Sequence, residues 1–333
     1  MSAADSIEVS AKTPLWTPST TRINQTLLKK FEQHLLDAGI GRFDSYGALH
    51  GWSCGELNSF WGAFWEFASM EGTPGETSFQ PHASIKAADF FPKSQMNFAQ
   101  EMLRNADDRL AIIFVSEDGQ RQQITRAALR DMVSRICSAM RAAGIGPGDR
   151  VAGFVPNCIE TIAAMLATQA IGAIWSSCSP DFGPAGVEDR FGQIEPKMLF
   201  AADGYFYSGK TIDSRPALAE IAKRLPSVEN IVVFPYALGG APVDDIPSAQ
   251  TLDGFIADYP VGELTYEMRS VRDPGFILFS SGTTGKPKCI IHSAGGLLLQ
   301  HMKEQMLQCD VQPGDRLFYF TTCGWMMWNW LAS

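Results

Sequence analysis

The chain has 333 residues, 45% of them hydrophobic and 19% charged, with a formal net charge of −9. That is enough chain for one large or two ordinary domains with an ample core, and an acidic balance without a basic stripe argues against nucleic acid as the main partner. No apolar run approaches the ~20 residues a bilayer span needs, and the first residues lack the basic and apolar regions of an export signal. The seven cysteines are odd in number and never spaced Cys-x-x-Cys, which reads as reduced thiols of a cytoplasmic protein. Neither a disulfide framework nor, with five scattered histidines, a metal cluster is expected.

In chain order, residues 1–23 are polar and without period, a loosely ordered lead-in. From Asn24 the pattern turns helical, with Leu27, Leu28, Phe31, Leu35 and Leu36 on one face and Gly39 and Gly41 at the stop. A second helix is predicted over 56–70, where Leu57, Phe60, Trp61, Phe64, Trp65 and Phe67 make an aromatic face suited to docking on a larger body. Residues 71–93 read as a linker or wrapping loop.

Beyond it the texture changes. A strand is predicted over 111–115, a turn at 117–119, and a helix capped by Thr125 and reaching about Ala143 with Leu129, Met132, Ile136 and Met140 inward. Strand 151–155, helix 159–170, strand 173–176, helix 185–194, strand 198–201, helix 216–225 and strand 231–234 follow. Such alternation predicts an α/β fold, a parallel sheet covered by helices on both faces that binds ligands at the carboxyl ends of its strands. Residues 237–273 are loopier and acidic, and should return the chain to a sheet edge. A helix is expected over 295–308. Pro313-Gly314-Asp315-Arg316 repeats the turn at 147–150 and should lead into a strand over 317–321.

Between the apolar runs 276–279 and 289–291, read as two short buried strands, lies Ser280-Ser281-Gly282-Thr283-Thr284-Gly285-Lys286-Pro287-Lys288. Glycines let backbone approach an anion, N–H groups and hydroxyls donate to its oxygens, and lysine adds a movable charge. The spacing is not that of a Walker A loop, and Pro287 bars the helix such a loop requires. A plain Gly/Thr hairpin is the alternative.

These residues resemble the acyl-adenylate-forming (AMP-binding) synthetases, whose phosphate loop reads Ser-Ser-Gly-Thr-Thr-Gly-x-Pro-Lys. Ile291-His292-Ser293-x-Gly295-Gly296, Ala48-Leu49-His50-Gly51-Trp52-Ser53, Phe60-Trp61-x-x-Phe64-Trp65-x-Phe67 and Met96-Asn97-Phe98-Ala99-x-x-Met102-Leu103 are similar to the acetyl-CoA synthetase-like group. The stretches 172–183, Asp203-Gly204-Tyr205-x-Tyr207-x-Gly209-Lys210 and 321–330 resemble its acetoacetate-activating branch. The resemblance covers residues 30–333.

It implies a helical N-terminal extension over 1–95 and an AMP-binding core of layered parallel-sheet subdomains over 96–333. It also implies a two-step ligation of acetoacetate to coenzyme A through an acyl-adenylate, with magnesium accompanying ATP. On that reading Ser280, Ser281, Gly282, Thr283, Thr284, Gly285, Lys286 and Lys288 hold the ATP phosphates. Trp325, Met326 and Met327 wall the acyl pocket, with plain core as the alternative. Lys210 stands near the coenzyme A phosphate, with a solvated lysine as the alternative. His292 matches a family position as packing rather than as a base. The family's adenine- and ribose-binding segments, hinge and small C-terminal domain with its catalytic lysine have no counterpart here. No catalytic residue is therefore assigned, and the chain is expected to be an N-terminal fragment that turns nothing over alone. Acetate or propionate as the acid, or a truncated module without catalysis, are the rival readings.

Overall fold

A computed structural model describes residues 14–84, 87–281 and 285–333. The chain begins with helices α1 (Thr20–Gln25), α2 (Leu27–Asp37), α3 (Tyr46–Gly55) and α4 (Leu57–Phe67). Ser19, Thr26 and Ser45 cap the first three by accepting the N–H of Arg22, Lys29 and Ala48. The polar lead-in therefore ends in a short capped helix, and the stretch 48–53 is helical. On α2 and α4, Phe31, Leu35, Phe60 and Phe64 are buried, whereas Leu36 is exposed. The aromatic faces meet edge-on, with Phe31 and Phe60 ring centroids 6.0 Å apart at 89°.

The linker 71–93 holds a minimal hairpin, β1 (Phe79–Gln80) with β2 (Asp89–Phe90). Next comes α5 (Phe98–Leu103), whose cap is Asn97. This buried amide ties three segments together. Its oxygen accepts the N–H of Ala99 and Gln100, and its Nδ2 donates to the carbonyls of Gln169 and Glu267. Glu101 accepts the Glu71 N–H at 2.8 Å and pairs with Arg104, which donates to the Ser69 carbonyl. Burial raises the Glu101 carboxyl above its ordinary value despite these partners. One hydrophobic cluster runs unbroken from Phe31 and Phe64 through Phe98 to Val151 and Trp175.

Strand β3 (Leu110–Val115) pairs antiparallel with β4 (Arg121–Thr125) in a hairpin apart from the main sheet, contrary to its place in the predicted alternation. Its outer residues Leu110, Ile113 and Val115 are exposed, so it lacks the two-sided cover of a central strand. Helix α6 (Arg126–Ala142) follows. Then come β5 (Arg150–Phe154), α7 (Ile159–Ala170), β6 (Ile174–Cys178), α8 (Pro184–Phe191) and β7 (Met198–Ala202). A second hairpin, β8 (Gly204–Tyr207) with β9 (Lys210–Asp213), was hidden in the motif at 203–210. Its turn places Ser208 and Gly209 at φ +50° and +73°, as a two-residue hairpin requires. The chain continues with α9 (Arg215–Arg224), β10 (Asn230–Phe234), β11 (Ala249–Thr251), α10 (Leu252–Phe255), β12 (Pro274–Phe279) and β13 (Cys289–Ser293). It ends with α11 (Ala294–Lys303), a π-helical turn over Glu304–Gln308, and α12 (Met326–Ala332).

The main sheet has seven strands in the order β11-β10-β7-β5-β6-β12-β13, and only β13 runs antiparallel to its neighbour. Residues 237–273 thus supply one edge, β11, before the chain returns to the opposite side as β12. The helix α7 lies with α5 and α6 on one face, and α8 and α9 cover the other around Phe154, Leu199 and Ile231. The fold is α/β, as the alternation implies.

Two expectations fail at this end of the sheet. Strand β13 is not buried: it forms the outer edge, and Ile291 is 62% exposed. Residues 317–321 form no strand. They run extended after the Gly314 turn, with Phe318 81% and Phe320 89% exposed, and no ladder partner stands beside them among the described residues. An apolar run becomes a strand only where a neighbour accepts its backbone hydrogen bonds.

Candidate functional site

Two features meet at the β12–β13 corner of the sheet: the glycine–hydroxyl loop and a cavity. Gly282, Thr283 and Thr284 lie outside the described residues; the neck of the loop lies within them. The Ser280 hydroxyl accepts the Lys288 N–H at 2.9 Å, and the Ser280 N–H donates to the Lys288 carbonyl at 3.0 Å. The hydroxyl of Ser280 therefore closes the neck, while Ser281 is exposed. Gly285 takes φ +141°, open space around it, a conformation costly for a side-chain-bearing residue. Helix α8 braces the neck from below: Gln193, just past its end, donates to the Pro287 carbonyl at 2.8 Å, and Asp189 lies 3.6 Å from the Lys286 ammonium. With the Lys286 side chain 78% exposed, that ion pair is weak, so the cation can leave it for a stronger anion. Lys288 is likewise exposed.

From the loop, β13 runs five residues, roughly 13 Å between its first and last Cα atoms, along the wall of a cavity of about 680 Å³. Volumes of this order suit a small-molecule ligand. Ile291, His292 and Ser293 contribute one side, Gly296, Leu297, Gln300, His301 and Glu304 of α11 and the turn after it another, and Met326, Met327 and Trp330 of α12 the third. Met326 and Met327, which the resemblance implies wall the acyl pocket, line this cavity. Trp325 does not line this cavity; it precedes α12 and is 61% exposed.

The segment carrying α12 is anchored over the carboxyl ends of β5 and β6. Ser177 donates to the Cys323 carbonyl at 2.7 Å, and the indole N–H of fully buried Trp328 donates to the Asn157 side chain at 2.8 Å. A Cβ on Gly324 would stand 3.3 Å from the Phe182 ring, which stacks under Arg190 at 4.3 Å. The tryptophans thus divide by position: Trp328 is core, Trp330 walls the cavity and Trp325 faces outward.

Inside the cavity His301 is nearly buried, and its Nδ1 lies 2.6 Å from the Ser333 hydroxyl. Burial pushes its pKa down to about 4, the nearby Glu304 carboxylate opposing this and His292 adding to it. His292 is half-buried and lowered by desolvation alone. Because the folded-state value for His301 lies below that of an unfolded histidine near 6.5, the unfolded chain binds the extra proton between pH 6.5 and 4. Stability present above pH 6.5 is lost as pH falls through that window. A His301→Leu variant should lose less stability than the parent between pH 7 and 4, by on the order of 2–3 kcal/mol in urea titrations. Equal losses would show that His301 carries no such linkage.

The sequence reading passed over His301, Gln300 and Glu304. A signal existed: Leu297, Gln300, His301 and Glu304 recur at three- and four-residue steps, a polar stripe on the inward face of α11. Lys210 sits at the tip of the β8–β9 hairpin, exposed, where Gly209 donates to Glu117 at 2.7 Å. It lines neither the loop neck nor the cavity. Among the described residues no helix is long and apolar enough to cross a membrane.

The sequence profile described as AMP-binding enzyme matches residues 98–332, most of the chain. The chain belongs to the AMP-binding enzyme family. An acetoacetyl-coenzyme A synthetase of Rhizobium meliloti (strain 1021) is 47% identical over 97% of this chain and 50% of its own length. A malonamoyl-CoA synthetase of Penicillium aethiopicum is 41% identical over 87% of this chain and 42% of its own length. The solved structure of an acetoacetyl-CoA synthetase from Streptomyces lividans superposes with a TM-score of 0.90 at 38% identity, covering 96% of this chain and 49% of that one. The chain thus spans about half the length of the relatives it matches, and within that half the fold is the AMP-binding enzyme fold.

Proposed function

We propose that the whole protein ligates acetoacetate to coenzyme A, with ATP converted to AMP and pyrophosphate. The observation that carries this reading is the juxtaposition at one sheet corner of a cationic glycine–hydroxyl loop and a small-molecule cavity joined by a single strand, β13. A carboxylate is a poor electrophile, and its attack on the α-phosphorus of ATP gives an acyl-adenylate with AMP as leaving group. The thiol of coenzyme A then attacks the acyl carbon and AMP departs.

In the first step the residues of this chain position and screen charge. Ser281, Thr283, Thr284 and the backbone N–H groups from Gly282 to Gly285 would donate to the β- and γ-phosphates. Lys286 and Lys288 supply two cations on the exposed side of the neck. Ser280 keeps the neck closed. The acyl chain would lie between Met326, Met327 and the α11 face. For Lys210 a coenzyme A contact finds no support in its surroundings, and a solvated lysine fits them.

Among the described residues no group of three or more His, Cys, Asp or Glu side chains could hold a metal ion. We read magnesium as entering with the triphosphate.

Acetoacetate is favoured over acetate because the cavity of about 680 Å³ is larger than a two-carbon chain fills and carries polar groups, His301 and Gln300 among them, that a ketone oxygen can meet. The test is AMP release by the purified whole protein with coenzyme A and each of acetoacetate, acetate and propionate. The highest kcat/KM is expected for acetoacetate. A preference for acetate or propionate would replace the substrate and keep the chemistry, and no acid-dependent AMP release at all would sink the ligase reading. Residues 1–333 alone are expected to give no exchange of pyrophosphate into ATP.

A further inference from the structure

Helix α11 does not finish as an α-helix, and its last turn holds one wall of the cavity. The turn over Glu304–Gln308 is π-helical, closed by the Cys309 N–H donating to the Glu304 carbonyl at 2.9 Å, five residues back. A turn wound through such bonds holds more residues than an α turn, so consecutive side chains fan out less. Here two consecutive side chains reach the same residue of α12. One Glu304 oxygen accepts the Trp330 indole N–H at 3.1 Å, and the Gln305 amide donates to the Trp330 carbonyl at 2.8 Å. The other Glu304 oxygen accepts the Gln300 amide at 2.6 Å, one turn earlier, which fixes the carboxylate itself. An indole N–H can only donate, and among the described residues Glu304 is its one acceptor.

Met326, Met327 and Trp330 share a face of α12 at three- and four-residue steps and together make the third wall of the cavity. The two methionines are flexible and adapt their shape. The indole is therefore the part of that wall with a defined plane, and a single hydrogen bond to a carboxylate sets it. We infer that Glu304 is a positioning residue for the acyl chain: it fixes the ring of Trp330, and through the ring the surface against which the chain lies. This rests on the ligase reading above and deepens it. The helix is held independently of this bond, by Gln305 on the Trp330 carbonyl and by the Trp328 indole on Asn157. Removing the Glu304 acceptor thus frees the ring without releasing α12.

The experiment is steady-state AMP release by the whole protein, with the acid it turns over best, expected to be acetoacetate, and ATP varied separately. Glu304→Leu should raise the KM for the acid about 10-fold, the order of one hydrogen bond to a charged acceptor, and leave the KM for ATP unchanged. Trp330→Phe, which keeps a ring and removes its N–H, should reproduce that split. The two changes together should lose no more than either alone, because both remove the same bond. Glu304→Gln, whose carbonyl oxygen still accepts the indole N–H, should restore most of the acid KM. If Glu304→Leu loses its folded circular dichroism spectrum, Trp330→Phe decides alone, and a parental acid KM in that variant overturns the inference. Equal rises in both KM values, or additive losses in the double variant, also overturn it and leave the ligase reading intact. A parent that releases AMP with no acid overturns both.

Discussion

Replacing Asp203 by alanine will lower stability by about 3–5 kcal/mol, a larger effect than any single surface change in this chain. The carboxylate sits at the end of β7, 1% exposed, and accepts four backbone N–H groups: Tyr236 and Ala237 at 2.9 Å, Leu238 at 3.2 Å and Gly240 at 3.0 Å. It therefore moulds the turn after β10, where Gly239 and Gly240 take positive φ. Alanine leaves those donors to whatever water can reach them. Asparagine keeps one acceptor oxygen and turns an NH₂ group toward donors, so it should recover less than half of the loss. Chemical denaturation of the three proteins by urea, with unchanged m-values, measures this. A loss under 1 kcal/mol for alanine would mean that the turn is held by other contacts.

Replacing Lys286 by alanine in the whole protein should lower kcat/KM for ATP by about 100-fold, the order seen when one fixed electrostatic contact to a developing charge is removed. Stability should hardly move, because the side chain is 78% exposed and its pairing with Asp189 at 3.6 Å is a weak surface contact. Asp189→Ala separates two explanations of such a loss. If Lys286 acts on the phosphates, freeing it from Asp189 preserves or raises activity. If the pair matters because it braces the loop neck, Asp189→Ala loses as much as Lys286→Ala. Steady-state AMP release at varied ATP, with melting temperatures alongside, gives the answer.

The sheet was legible in the sequence because its central strands, buried on both faces, are written as unbroken apolar runs at 150–155, 198–202 and 230–234. The helices between them announced themselves by caps and period, Thr125 before α6 being one case. What escaped were elements whose residues say little about neighbours. Residues 110–115 and 317–320 are equally apolar, yet among the described residues the first pairs only with its own hairpin partner and the second with nothing. Pairing depends on which chain lies alongside, and a local pattern does not record that. The glycine–hydroxyl loop was legible as a motif because its spacing is local. The cavity was legible only in part: Met326 and Met327 are contiguous, whereas His301 becomes a site residue through a hydroxyl 32 positions away. Trp325, Trp328 and Trp330 show the same limit, since three tryptophans within six residues meet an outward face, a core and a cavity.

The junction between β6 and β12 has a consequence for motion. The only register pair there is Phe276 with Trp175, while β5 and β6 share five. Side chains supplement that single rung: Ser176 donates to the Ile277 carbonyl and Gln169 to the Gly275 carbonyl, both at 2.7 Å. A seam closed by so few backbone bonds is expected to open at a lower free energy than the β5–β6 seam. Amide exchange in the β12–β13 hairpin then reports this local opening instead of global unfolding. The glycine–hydroxyl loop thereby joins the two strands that lie beyond the most sparsely paired seam of the main sheet.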